Sequence, residues 1–170
     1  MRWQPSLKII PHYESEPLYI DALVNSLKLK LSEINWKPDL IVASYHGIPK
    51  KYFDKGDPYH CYCHKTTRLI SEKFTSIEIK TTFQSRFGPQ EWLQPYTDKT
   101  LENLPKEGVK NVLTICPGFA SDCVETLEEI QIQAKESFLN SGGENFDMVP
   151  CLNDNNDHIT LLNSLIERNI

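Results

Sequence analysis

A histidine stands where an apolar run stops. Asp39-Leu40-Ile41-Val42-Ala43 reads as a short buried strand, and Ser44-Tyr45-His46-Gly47-Ile48-Pro49 follows it. Gly47 and Pro49 keep the strand from continuing. Ligands of open α/β sheets bind just past the carboxyl ends of strands, so His46 is placed to look into a cleft, where an imidazole acts as a base or binds a metal. A second strand end repeats the pattern. Asn111-Val-Leu-Thr-Ile-Cys116 is followed by the Pro117-Gly118 turn and by Phe119-Ala120-Ser121-Asp122-Cys123-Val124-Glu125. Asp122 and Glu125, three apart, share one face of a helical first turn. If the two strands are neighbours, His46, Glu125 and Asp122 form a mixed N/O set suited to Fe²⁺, Mn²⁺ or Zn²⁺. The competing reading makes Asp122 an N-cap with Glu125 reaching back to its amide, and His46 a loop histidine bonded to backbone.

Two further stretches carry chemistry-capable residues. His60-Cys61-Tyr62-Cys63-His64 has the composition of a soft-metal cluster, but structural zinc sites show a second ligand pair, and none follows. No zinc or iron–sulfur cluster is expected there. Phe83-Gln84-Ser85-Arg86-Phe87-Gly88 and Trp92-Leu93-Gln94-Pro95 mix aromatics with amide and guanidinium groups. They suit either a wall for a flat apolar ligand with charged edges or an ordinary loop packed by Trp92. Lys50, Lys51 and Lys55 read as a solvated face.

The elements that must hold these residues follow from periodicity. Helices are expected over Pro17–Ile34, His60–Phe74, Thr97–Glu107 (stopped by Gly108), Ser121–Leu139 and Asn155–Ile170. The stripe Leu127, Ile130, Ala134, Phe138 supports the fourth of these. Strands are expected at 39–45, Ile77–Phe83, Asn111–Cys116 and Phe146–Val149, with Leu7–Ile10 as a further candidate and 46–59 as a loop. Strand and helix alternate, which implies an α/β fold: a parallel sheet of about four strands flanked by helices on both faces. With 170 residues, 39% hydrophobic and 24% charged, the chain has the size and composition of one globular domain. A net charge of −5 argues against nucleic acid. No apolar run approaches the roughly 18 residues of a membrane span, and the first residues lack a signal-peptide core. Five cysteines at irregular spacing do not make a secreted disulfide framework. A cytoplasmic protein is expected.

Four linked motifs make the chain resemble the ferrochelatase family: Tyr45-His46-Gly47-Ile48-Pro49; Gly56-Asp57-Pro58-Tyr59; Phe83-Gln84-Ser85-Arg86-Phe87-Gly88 with Trp92-Leu93; and Cys116-Pro117-Gly118-Phe119 with Ser121-Asp122 and Glu125-Thr126-Leu127. The resemblance runs to Pro150-Cys151-Leu152-Asn153 and is to the second, C-terminal half of that family. It implies one of two Rossmann-like half-domains around a porphyrin cleft, with 1–16 as the link from an N-terminal half that this chain lacks and 17–170 as the C-terminal domain. It implies insertion of Fe²⁺ into a porphyrin, protoporphyrin IX or coproporphyrin III, in haem biosynthesis. His46 and Glu125 match the family's active-site histidine and glutamate, and Asp122 the acidic residue before that glutamate. Trp92, Gln84 and Arg86 fall in the segment that lines the porphyrin. Fe²⁺ is then substrate, no tightly bound cofactor is expected, and membrane contact would be peripheral, through the other half. A non-catalytic tetrapyrrole- or metal-binding module and a cobalt chelatase are the alternatives.

Overall fold

In a computed structural model, residue 3 and residues 6–170 are described. Four strands form one sheet: β1 (Leu40–His46), β2 (Ile79–Gln84), β3 (Asn111–Ile115) and β4 (Asn145–Met148). Their order is β2-β1-β3-β4 and every pairing is parallel. The register sets His46 beside Gln84 and Ala43 beside Ile115. β1 therefore lies next to β3, as the site requires. The chain leaves β1 toward one edge and β3 toward the other, so their carboxyl ends flank the switch point where open sheets bind ligands.

Helices α1 (Pro17–Glu33), α2 (Lys50–Asp54), α3 (Tyr59–Lys73) and α4 (Thr97–Asn103) come before β3. After it come α5 (Val124–Leu127), a π-helical segment (Glu129–Ala134), α6 (Lys135–Asn140) and α7 (Asn156–Glu167). Pro17 opens α1, where its missing N–H costs nothing. The Asn155 side chain caps α7 by accepting from the His158 amide (2.8 Å).

Side-chain alternation divides the core into two layers. Ile41, Ala43, Tyr45, Phe83, Leu113 and Ile115 pack with α1, α3 and α7. Leu40, Val42, Val112, Cys116 and Phe146 pack with Leu101, Ile130, Ala134 and Phe138 on the other face. Each fully buried aliphatic or aromatic side chain contributes about 1.5–3 kcal/mol, so the alternation is firmly held. It also sorts the chemistry, because Ser44 and His46 follow the parity of Leu40 and Val42. At the amino end of the strands, the Asp39 carboxylate accepts from the Lys110 and Asn111 amides (2.9 Å each) and locks β1 to β3.

Several expectations change. Leu7–Ile10 is not a strand: Leu7 and Ile9 are 84% and 81% exposed, and the sheet ends at β2 and β4. The loop after β1 contains α2. α4 gives way at Leu104 to a 3₁₀ turn, because Pro105 has no N–H for an α-helical bond; Gly108, at φ 92°, ends the turn. The single helix expected over 121–139 begins only at Val124 and widens after Leu127 into the π segment, where the Gln133 amide bonds Glu128 O five residues back. The buried positions there are Thr126, Ile130, Ala134 and Phe138, spaced by four. Leu127, expected on the buried stripe, is 45% exposed.

Candidate functional site

His46 is the last residue of β1 and is half-buried. Its Nδ1 lies 2.7 Å from Gly47 O. A carbonyl oxygen only accepts, so Nδ1 is the donor in this contact and Nε2 is the ring nitrogen it leaves unused. The ring stands between Trp92 (centroids 6.5 Å) and Phe119 (6.3 Å). The Tyr59 hydroxyl donates to His46 O (2.9 Å) and pins the backbone below the ring.

Gly47 is required by close approach. A Cβ there would lie 2.9 Å from Gln84 O and 3.2 Å from Trp92 Cε3. The Gly47 amide donates to that same Gln84 O (2.8 Å). Trp92 is further fixed through its Nε1, which donates to Phe87 O (2.8 Å), and through an antiparallel bridge to Pro49.

Glu125 lies on the first turn of α5 and is half-buried. Hydrogen bonding from Cys123, then from its own backbone, and the charge of nearby His46 hold its carboxyl below the usual carboxylate range. It is an anion at neutral pH, near the His46 ring. The bridge between the two is Gln84. Expected on a ligand wall, Gln84 is instead 4% exposed. Its Oε1 accepts from Ser44 Oγ (2.7 Å) and from the Cys116 thiol (3.8 Å). Its Nε2 donates to Glu125 O (2.6 Å) and to Glu129 Oε2 (3.3 Å). One buried amide thus joins β1, β3 and the start of α5, and sets how far His46 stands from Glu125. Glu129 reinforces the joint by accepting from the Ser85 amide (2.7 Å) and hydroxyl (2.5 Å). Ser85 needs that support, since its φ is 62°.

Asp122 does not stand beside Glu125, and the capping box expected of the pair is absent. Cys123 is the N-cap, and its amide donates to Thr126 Oγ1 (3.0 Å). Asp122 Oδ2 accepts from Asn153 Nδ2 (2.7 Å), and Oδ1 accepts from the Cys151 amide (3.1 Å) and faces the Thr126 hydroxyl (3.2 Å). Its amide donates to Asn153 Oδ1 (2.8 Å). Burial pulls its carboxyl up, but the bonds from Asn153, Cys151 and Thr126 outweigh burial and leave it below the ordinary range. Arg86 is drawn away from His46 as well: it pairs with Asp98 (2.6 Å) and lies over the Tyr96 ring (4.4 Å). A cavity of about 370 Å³ lies on that side of Gln84, lined by Arg86, Asp98, Glu129 and Gln133.

The fold therefore brings His46, Glu125 and Trp92 to one open surface at the switch point and takes Gln84, Asp122 and Arg86 into internal contacts. Phe119 and Tyr59 belong to the surface but were not singled out in the sequence; the Pro117-Gly118 turn before Phe119 was the available signal. Among the described residues, no three His, Cys, Asp or Glu side chains gather closely enough to hold an ion, and no helix is long and apolar enough to cross a membrane.

A family model described as ferrochelatase matches residues 1–170. The chain is 55% identical over 172 residues to a ferrochelatase of Rhizobium meliloti (strain 1021), covering 100% of this chain and 51% of the relative. It is 54% identical to that of Allorhizobium ampelinum (100% and 50% covered) and 50% identical to that of Brucella ovis (99% and 49%). The chain spans about half the length of the curated relatives it matches. With that half goes the open α/β sheet whose switch point carries His46 and Glu125: the chain belongs to the ferrochelatase family.

Proposed function

We propose that this chain is the half of a ferrochelatase that carries the reacting groups, and that together with a preceding half-domain it inserts Fe²⁺ into a porphyrin for haem synthesis. The observation that carries the reading is His46, its Nδ1 tied to Gly47 O, standing near the anionic Glu125 and beside two aromatic rings.

Metallation removes two pyrrole N–H protons and delivers a partly dehydrated Fe²⁺. His46 Nε2 accepts a pyrrole proton or ligates the incoming ion; one lone pair serves one of these at a time. Glu125, an anion at neutral pH, attracts Fe²⁺ and passes protons outward. Trp92 and Phe119 give the macrocycle apolar surfaces to lie against. A flat ring hides its nitrogen lone pairs from an ion above it, so binding energy spent on bending the ring lowers the barrier. Asp122, with both oxygens occupied, is assigned here to holding the α5 turn, and Gln84 to setting the spacing of His46 and Glu125. Protoporphyrin IX and coproporphyrin III both suit this surface. The reading places the enzyme in the cytoplasm, with any membrane contact made by the other half.

The test is His46→Ala in a protein that has both halves, following iron insertion by loss of porphyrin fluorescence. Loss of about 10²-fold or more is expected on the scale of general acid–base catalysis. A near-normal rate overturns the assignment. Retention of porphyrin without iron insertion by the unsubstituted two-half protein would favour a binding module.

A further inference from the structure

The His60-Cys61-Tyr62-Cys63-His64 run makes no contact with the His46 ring, and α3 takes it apart. Cys61 and Cys63, two apart on a helix, point away from each other: the first is exposed and the second buried. His60 and His64 are one turn apart and share a face. Their ring centroids are 4.4 Å apart, with planes tilted by 46°. His60 is steadied by Phe83, against which it stacks at 5.6 Å, and by Phe53 at 4.8 Å. Phe83 has the parity opposite to His46, so the pair lies on the other face of the sheet.

His12, His46 and His158 each spend a ring nitrogen on a protein partner. Among the described residues His60 and His64 do not; His64 is exposed and His60 half-buried, and no nitrogen of a non-exposed residue is both fully buried and unbonded. Burial, and for His64 also the neighbouring His60, lowers both from the ordinary histidine range, leaving lone pairs available at neutral pH. His60 lines a cavity of about 290 Å³ with Lys50, Glu91 and Trp92. Lys50 is held by Asp54 (2.6 Å), so Glu91 adds negative charge there.

Two imidazoles bound at about 2.1 Å to one ion put their ring centroids roughly 4.5 Å apart at a right-angled bite and roughly 5.2 Å at a tetrahedral one. The observed 4.4 Å lets one ion reach both rings, and imidazole suits Ni²⁺ and Cu²⁺ among divalent ions. We propose that His60 and His64 form a bidentate, exchangeable site for a divalent transition-metal ion of the Ni²⁺ or Cu²⁺ type, with water completing its shell. The site neighbours Trp92 but shares no ligand with the proposed iron insertion.

The test titrates the 170-residue chain with Ni²⁺ at neutral pH, reading calorimetry and the imidazole NMR signals. One saturable equivalent is expected, with the His60 and His64 signals perturbed. His64→Ala changes an exposed ring that makes no hydrogen bond. It should weaken binding by about tenfold or more, since losing a ligand costs no less than losing one of its outer partners; His60→Gln should do the same. Cys61→Ser should leave the affinity unchanged. Bound Ni²⁺ should raise the melting temperature of the parent chain and not that of His64→Ala. Absence of saturable binding, unchanged affinity in His64→Ala, loss of binding in Cys61→Ser, or perturbation of His46 alone would each overturn the proposal.

Discussion

Two carboxylates three residues apart end up in opposite circumstances. Asp122 is drawn into a knot with Cys151, Asn153 and Thr126, its oxygens occupied and its role the closure of the chain around the α5 turn. Glu125, half-buried on the next turn, has its carboxyl lowered by Cys123 and by the charge of His46, with its backbone carbonyl anchored by Gln84. Both are acidic and both follow the end of β3, yet one binds protein and the other is left free to bind something else. Where an acid's lone pairs go decides whether it is scaffold or reagent.

The sharpest way to break that contrast is at the reagent side. His46→Ala should remove iron insertion by about 10²-fold or more in the two-half protein while the melting temperature stays put, because its ring makes one local bond. Glu125→Gln should cost about 10²-fold by the same chemistry, again without loss of stability, because its carboxyl bonds locally, to Cys123.

The scaffold side should respond in stability. Asp122→Asn leaves donors from Cys151, Asn153 and Thr126 without an anionic partner and should cost about 1–3 kcal/mol, read as a melting shift of about 2–4 °C per kcal/mol. Its pH dependence has a definite sign. The folded carboxyl titrates below its unfolded value, so the knot's stabilisation is complete above the unfolded pKa of about 4 and is lost as pH falls through the lower, folded value. Asp122→Asn should flatten that acid limb. Gly47→Ala, which sets a Cβ 2.9 Å from Gln84 O and 3.2 Å from Trp92, should cost about 1–3 kcal/mol as overpacking does and shift Trp92 fluorescence. Arg86→Ala should do least: an exposed pair with Asp98 is worth under about 1 kcal/mol, and a guanidinium already engaged by Asp98 and Tyr96 has little left for a porphyrin carboxylate.

What could be read in advance divides along the same line. The ends of β1 and β3, the parallel alternation and the place of His46 were legible because they rest on local signals: an apolar run, then Gly or Pro. The layer each residue joins was also implicit, since Leu40, Val42, Ser44 and His46 share one parity. The role of Asp122 was not legible, because its partners Cys151 and Asn153 lie about thirty residues on and nothing local marks them. Gln84 misled for a related reason. An amide at a strand end reads as a ligand contact, and only the neighbouring Ser44, Cys116 and Glu125 show that its bonds are internal. The π segment had a faint signal: Thr126, Ile130, Ala134 and Phe138 recur every four residues, wider than an α-helix sustains over three turns. Choosing Leu127 for that stripe hid it.

The most direct measurement compares Glu125→Gln with Asp122→Asn in the two-half protein, recording iron-insertion rate and melting temperature for each. Glu125→Gln should lose rate and keep its melting temperature, and Asp122→Asn should lose melting temperature and, below its melting point, keep most of its rate. The reverse assignment, a stable but inactive Asp122→Asn beside an active Glu125→Gln, would contradict the account.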